Sequence, residues 1–396
     1  MTTRSRPLRL TTLSLALGAF ALGVSEFAAM GLLPYFAADL GVSDPEAGAA
    51  VSAYALGVVI GAPLCSVLGA GLPRKRLLLL LVAVIGLGNL ANALVPGMGS
   101  MVVLRFVSGL PHGAYLGVAA LYAADFWPEG RKAVGVTRVL MGLTVANVIG
   151  VPLAGAAGQV LGWRVMFVAV AVLSAAAFAM ILRCAPDMRQ ATRTHPLKEL
   201  GALLNRDVLM VLGTGAIGFG GVFAVYTFFS AAILDLPGAP AWAIPLALSG
   251  FGIGGILGNL VVGRLAEWSP LGTTLLIYLF MALVALAYAA ALGHWPLMVL
   301  AMVLLGPSTS ISTPLHMRLM AVAGEAQTMA AALNHAAFNA ANAIGAFCAG
   351  AVLARGYGWA ATGQVGAALA LAGIVMVGLT HLMDRGRRAA GVPPQA

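Results

Sequence analysis

The sequence predicts an all-α membrane protein of twelve spanning helices arranged as two six-helix halves. Three observations carry this. First, 61% of the 396 residues are hydrophobic and only 9% are charged, against roughly 25% charged in soluble domains; the mean hydropathy is +0.96. No water-soluble surface can be built from such a chain. Second, apolar runs of about 20 residues recur from end to end. In lipid each run must satisfy its own backbone hydrogen bonds, which a helix does, and the sequence lacks the shorter half-polar segments of a membrane barrel. Third, blocks of the second half repeat blocks of the first at an offset of about 196 residues.

In chain order the spans read 10–34, 48–70, 76–96, 98–123, 133–157 and 163–184, then 205–232, 241–265, 271–292, 296–320, 325–352 and 359–383. The opening MTTRSRPLRL and its apolar run mimic a signal peptide, but the run is too long and carries Glu26, so it is read as a retained first span. The longest polar stretch, 185–204, is read as a cytoplasmic linker between an N-terminal half (1–184) and a C-terminal half with a short basic tail (205–396). Placing both termini in the cytoplasm puts 19 of the 22 Lys and Arg on that side; Arg164 and Arg355 fall outside and Arg105 falls within a span. This is the positive-inside bias, and it accounts for the net charge of +9 without nucleic acid. Cys65, Cys184 and Cys348 show no metal spacing and read as packing residues. Arg outnumbers Lys 19 to 3, and Ala and Gly abound; both hint at a GC-rich bacterial genome, and the expected location is a bacterial inner membrane.

The repeat is specific. ANVIGVPLAG (146–155) aligns with ANAIGAFCAG (341–350), Gly162-Trp163 with Gly358-Trp359, GAGLP (69–73) with AEWSP (266–270), and Gly109 before Leu-Pro with Gly306 before Pro307. Parallel six-helix repeats are a transporter architecture. No Gly-x-x-x-x-Gly-Lys-Ser/Thr loop is present, so energy must come from a gradient or another chain. His-Glu-x-x-His, Gly-x-Ser-x-Gly and Cys/His clusters are missing too, which weighs against a membrane enzyme. The short loops weigh against a sensor.

Glu26 is the only acid well inside a span. It lies about eight residues before the outer end of the first span, and Arg105 about seven residues after the outer start of the fourth. At 1.5 Å per residue the two share a depth. A charge there costs about 3 kcal/mol on insertion scales, so two opposed charges at one level point to a shared polar site. His112 follows Arg105 two turns along the same face. In the eleventh span His335, Asn339 and Asn342 form one stripe flanked by Asn334 and Phe338. Such a stripe either binds neighbouring helices or faces a cavity.

RFVSGLPHGA (105–114) resembles the fourth-helix motif of major facilitator proton antiporters, and ANVIGVPLAG resembles their fifth-helix antiporter motif. SEFAAMGLLP (25–34) with YFAADLGVS (35–43) is similar to the first helix and loop of the twelve-span drug:H⁺ antiporter family, nearest to bacterial sugar-efflux and chloramphenicol-type exporters. The resemblance covers essentially the whole chain and implies the major facilitator fold, with the first, fourth and eleventh helices around a central cavity. It implies a secondary transporter that exports a small molecule in exchange for protons, without cofactor or metal. An uptake symporter or uncoupled facilitator fits the same fold. Glu26, Arg105 and His112 are then expected at a proton and substrate site, with a static ion pair as the alternative for the first two. Burial favours the protonated carboxyl and a neighbouring guanidinium the ionised one, so Glu26 is placed to titrate. Asn334, His335, Phe338, Asn339 and Asn342 are expected to line the cavity. Asn147, Asn89 and Asn92 are weaker candidates for it, and Tyr226, Phe228 and Phe229 on the seventh span either line the cavity or face lipid.

Gly150, Gly155 and Gly158 with Pro152 are expected to form a close, bent seam between the halves. One motif departs from the family. SVLGAGLPRKR (66–76) has Ala70, Gly71 and Pro73 where the family loop has Asp, Arg and Gly, and keeps only the basic end from Arg74 to Arg76. The loop's role as a latch between the halves is therefore in doubt, with Asp125 as the remaining acid for the basic run. The expected partners are a small-molecule substrate, protons and the bilayer, with a monomer as the working unit.

Overall fold

The computed structural model describes residues 5–69, 71–188, 205–323 and 327–389; most of the expected linker, 189–204, lies outside them, as does Ala70. Among the described residues, twelve helices are long and apolar enough to cross a membrane. They are α1 (Leu8–Gly31), α2 (Asp44–Gly69), α3 (Arg74–Ala93), α4 (Met98–Phe126), α5 (Lys132–Leu161), α6 (Arg164–Cys184), α7 (Arg206–Leu234), α8 (Ala243–Trp268), α9 (Pro270–Ala290), α10 (Trp295–Val322), α11 (Leu333–Ala354) and α12 (Ala360–Arg385). The expected spans are therefore borne out one for one. Local chemistry sets several starts. Asn205 accepts from the Asp207 amide to cap α7, and Ser269 accepts from Gly272 to cap α9, where Pro270 fills the first turn.

Within each half one close crossing has the same design. Gly57 and Gly61 on α2 meet α4 so tightly that a Cβ on either would lie 2.1 or 2.0 Å from the carbonyl of Phe106 or Leu110. Gly109 on α4 answers against the Tyr54 carbonyl at 2.2 Å. In the second half Gly254 and Gly258 on α8 meet Val303 and Pro307 of α10, and Gly306 answers against the Phe251 carbonyl at 2.2 Å. Two glycines four apart bare the backbone along one helix face, and lipid-embedded helices pack on such faces. The halves meet through α2 on α11 and α5 on α8.

The repeat extends to the face away from the termini. There the Trp163 indole donates to Asp39 on the short helix Leu33–Leu40 (3.1 Å), and Trp359 donates to Asp235 (2.8 Å). Both pairs are separated by 124 residues. Asp39 differs in also pairing with Arg164. Arg164 first, and Trp163 second, hold its carboxyl below the usual carboxylate range. The sign follows: the clasp's contribution is fully present above the unfolded Asp range and is lost as pH falls through the lowered folded value. Asp39→Asn is expected to leave the thermal midpoint near neutral pH almost unchanged, since exposed pairs contribute ~0–1 kcal/mol. It should also flatten the acid-side loss of stability, checked by fluorescence-monitored melts in acidic buffers.

The end of the molecule away from the termini is packed shut between the halves. Phe228 lies where a Cβ on Gly48 of α2 would touch it at 2.8 Å, and on Gly350 of α11 at 3.4 Å. Gln159 at the end of α5 donates to the Ala241 carbonyl just before α8 (3.3 Å). Phe228 and Phe229 are fully buried there, so neither faces the cavity or lipid.

Candidate functional site

Three helices lose α-helical regularity around one level of the bundle. In α5 a π-helical turn spans Ala146–Gly150. Pro152 causes it: it has no amide to offer the Val148 carbonyl, and the Val151 amide reaches back to Ala146 instead. In α7 the chain breaks at Phe219 and again at Thr227-Phe228. In α10 the stretch Gly306–Ile311 tightens to a 3-10 helix, with Thr309 and Ser310 hydroxyls donating to the carbonyls three residues back. Irregular backbone at membrane depth is tolerated where it lines a cavity or is buried in protein.

A cavity of about 230 Å³ lies at this level between the halves. Its polar lining is Glu26, His112, Thr144, Asn147, Asn259, Thr309, His335 and Asn339. Thr144, Asn259 and His335 are exposed, and they mark a mouth toward the face that carries the termini. The apolar wall is aromatic. Phe338 meets Phe219 edge-on (5.2 Å between centroids), Phe219 meets Phe223 (5.3 Å), and Phe223 stacks on Phe27 (6.4 Å). Tyr226 joins Phe27 to Phe251 from behind. A larger hollow of about 660 Å³ lies on the opposite face, lined by Pro34, Asp44, Tyr357 and Trp359 among others. It is a surface depression, and Glu26, His112 and the amides Asn147 and Asn339 line the smaller cavity instead.

Glu26 is nearly buried, 6% exposed, and is reached from both halves. Asn342 of α11 donates to its Oε1 (3.1 Å), and His112 Nε2 stands 3.8 Å from its Oε2. The other imidazole nitrogen shares a hydrogen bond of 2.9 Å with the Tyr54 hydroxyl. Arg105 does not pair directly with Glu26, which corrects the expected ion pair. Its Nη1 donates to the Ser25 carbonyl (3.0 Å), and its guanidinium lies 4.0 Å over the Tyr54 ring. The reason is angular. Equal depth does not fix the direction of approach around the helix. Ser25 in turn donates to Asn89 (2.8 Å), and Asn92 donates to Ser108 (3.0 Å), so these amides bind α1, α3 and α4 together.

The other expected site residues divide. Asn147, His335, Phe338 and Asn339 line the cavity; Tyr226, Asn334 and Asn342 do not. Tyr226 backs the aromatic wall, Asn334 is buried beside the stripe, and Asn342 is taken up by Glu26. The glycines of α5 also act differently from expectation. Gly150 packs on Val24 and Phe20, and Gly158 on Leu32, all of α1 and its end; only Gly155 faces the other half, at Leu248. The close approach across the seam comes from Gly252 of α8, where a Cβ would lie 2.9 Å from the Asn147 carbonyl. The basic run also serves one half. Arg74 pairs with Asp125 at the end of α4, and Lys75 lies 3.8 Å from Asp187 after α6, while Arg76 is exposed. Tyr54, Ser25, Phe27, Phe219, Phe223 and Phe251 were not singled out from the sequence. The signal for Tyr54 was its place one turn before Gly57.

A two-half bundle closed at one end, with a mid-membrane cavity lined by broken helices, defines a membrane transport protein. A family model for the Major Facilitator Superfamily matches residues 15–321. The chain is 36% identical over 366 residues to the inner membrane transport protein YdhP of Escherichia coli K12, covering 92% of this chain and 94% of that one. It is 33% identical over 371 residues to a chloramphenicol resistance protein of Streptomyces lividans, covering 92% and 93%. Among solved structures, the nucleoside transporter NupG aligns with a TM-score of 0.75 at 14% identity, covering 94% of this chain and 99% of that one. The chain belongs to the major facilitator superfamily. It is a multi-pass secondary transporter and not an enzyme.

Proposed function

We propose that this protein is a proton-coupled antiporter that exports a compact small molecule through alternating access. It would work as a monomer in a bacterial inner membrane, with both termini cytoplasmic and the cavity mouth open to the cytoplasm. The observation that carries the reading is Glu26. It is the one acid well inside a span, away from the span ends, it lines the cavity, and it holds an amide of the opposite half. An ionised carboxylate accepts from Asn342, whereas a protonated one offers a donor of its own. Gain or loss of the proton therefore changes the bond between the halves, and a transporter moves between states only through such differential free energy. The resistance protein among the relatives supports export, and the positive-inside bias supports the orientation.

Reconstituted protein with a pH-sensitive dye trapped inside the liposomes tests this. A substrate gradient imposed without a pH gradient is expected to drive proton movement in the opposite direction. Proton movement in the same direction would identify a symporter, and none at all a facilitator.

A further inference from the structure

The internal repeat sets one residue of the cavity wall apart. Asn342 and Asn147 occupy corresponding places in ANAIG and ANVIG, and Glu26 corresponds to Val222 at nearly the same offset. Parallel repeats are related by an axis along the membrane normal. One operation of that axis gives the bond from Asn342 to Glu26 (3.1 Å). In the other, Asn147 stands for Asn342 and Val222 for Glu26, and the Val222 side chain offers neither donor nor acceptor. Asn147 and Val222 both line the cavity, and among the described residues Asn147 Oδ1 has no hydrogen-bond partner.

A second acceptor meets the same space. Asn339 is 8% exposed, and its Nδ2 is held by the His335 carbonyl (3.1 Å), which fixes the amide and leaves Oδ1 without a protein partner. Buried acceptors without donors are costly, so a ligand that brings N–H or O–H groups binds there with advantage. The lining contains no Lys or Arg and does contain Glu26. A carboxylate ligand would meet like charge and two amide oxygens. The ring chain from Phe338 to Phe27 offers an apolar, aromatic wall. The volume is smaller than the roughly 300–1,000 Å³ of common small-molecule sites.

We propose that Asn147 and Asn339 are substrate-binding residues. They select an uncharged, compact molecule with one apolar face and at least two N–H or O–H donors, and the site rejects carboxylates. This rests on the reading of the cavity as the transport site and is independent of its proton coupling.

The test uses three probes on one scaffold: 4-nitrophenyl glucoside, its fully O-methylated form, and 4-nitrophenyl glucuronide. Binding to the full chain in lipid nanodiscs is measured by calorimetry. The glucoside is expected to bind about tenfold or more tightly than either analogue. Asn147→Leu should remove its preference over the methylated form without lowering the thermal midpoint. Val222→Gln, which gives Asn147 Oδ1 a donor within the protein, should weaken the glucoside comparably. Equal binding of the glucuronide, a preference that survives in Asn147→Leu, or no binding of any probe overturns the proposal. The two readings separate in proteoliposomes. A carried glucuronide with proton exchange leaves antiport standing and removes this substrate class; a bound glucoside that moves no protons does the reverse.

Discussion

Glu26→Gln is expected to reduce transport driven by a pH gradient by on the order of a hundredfold, while leaving substrate counterflow at zero gradient close to wild type. The substitution keeps shape and an oxygen that accepts from Asn342, so the contact of 3.1 Å between the halves survives. What it removes is the second protonation state. A two-state device driven by a ligand needs differential affinity of up to about 10⁴ between states to be thrown fully over, and a side chain that cannot bind the proton supplies none. The sign is fixed by this logic. Wild-type export should accelerate as the outer side is made more acidic than the inner one, and the variant's rate should be flat across the same gradients. If the variant keeps the wild-type response, the coupling proton is carried elsewhere, and His112, 3.8 Å from Glu26, is the next group to remove. If counterflow collapses as well, Glu26 is a packing or binding group and not a coupling group.

What could be read from the sequence follows the strength of the physical signal. Spanning helices are fixed by hydropathy over about 20 residues, a signal too long to imitate by chance. All twelve were legible. Glu26 and Arg105 were legible because a charge in lipid is expensive and therefore rare. Their partners were not. Arg105 turned to a backbone carbonyl and a tyrosine ring, and neither differs in sequence from ordinary helix composition. Asn342 belonged to a stripe that the sequence placed on the right helix, but whether a stripe faces a cavity or another helix depends on a rotation of one residue's arc. The π-helical turn at Ala146–Gly150 had a legible cause in Pro152, yet the bend alone does not say which side chain it turns inward. The glycines of α5 misled for a related reason. Small residues announce close packing without naming the neighbour, and here the neighbour was mostly α1. That Asn147 and Val222 stand where Asn342 and Glu26 stand in the other half needed both the repeat and the contact from Asn342 to Glu26.

Gly109→Ala and Gly117→Ala, two single-methyl changes on the same helix, are expected to act with opposite sign. At Gly109 the new Cβ would stand 2.2 Å from the Tyr54 carbonyl oxygen and 3.1 Å from the Val58 amide nitrogen. Both are backbone, so no rotamer change relieves the contact. Helix α2 cannot simply retreat, because its other side packs on α11. The helices must part, and the cost of such overpacking is ~1–3 kcal/mol. At roughly 2–4 °C per kcal/mol for a chain of this class, the thermal midpoint should fall by about 2–12 °C. Parting also lengthens the Tyr54–His112 hydrogen bond of 2.9 Å, since Tyr54 is the residue pushed and His112 lies one turn beyond Gly109. Coupled transport should then decline further than the amount of folded protein does. At Gly117 nothing lies within 4 Å of the added methyl, and alanine is the better helix former by about 1 kcal/mol. That variant should melt no lower than wild type and transport normally. Melts of the two purified variants, with transport normalised to folded protein, decide the matter. Equal midpoints would mean that the α2–α4 crossing is looser than its glycines imply, and that the position of His112 beside Glu26 is set by other contacts.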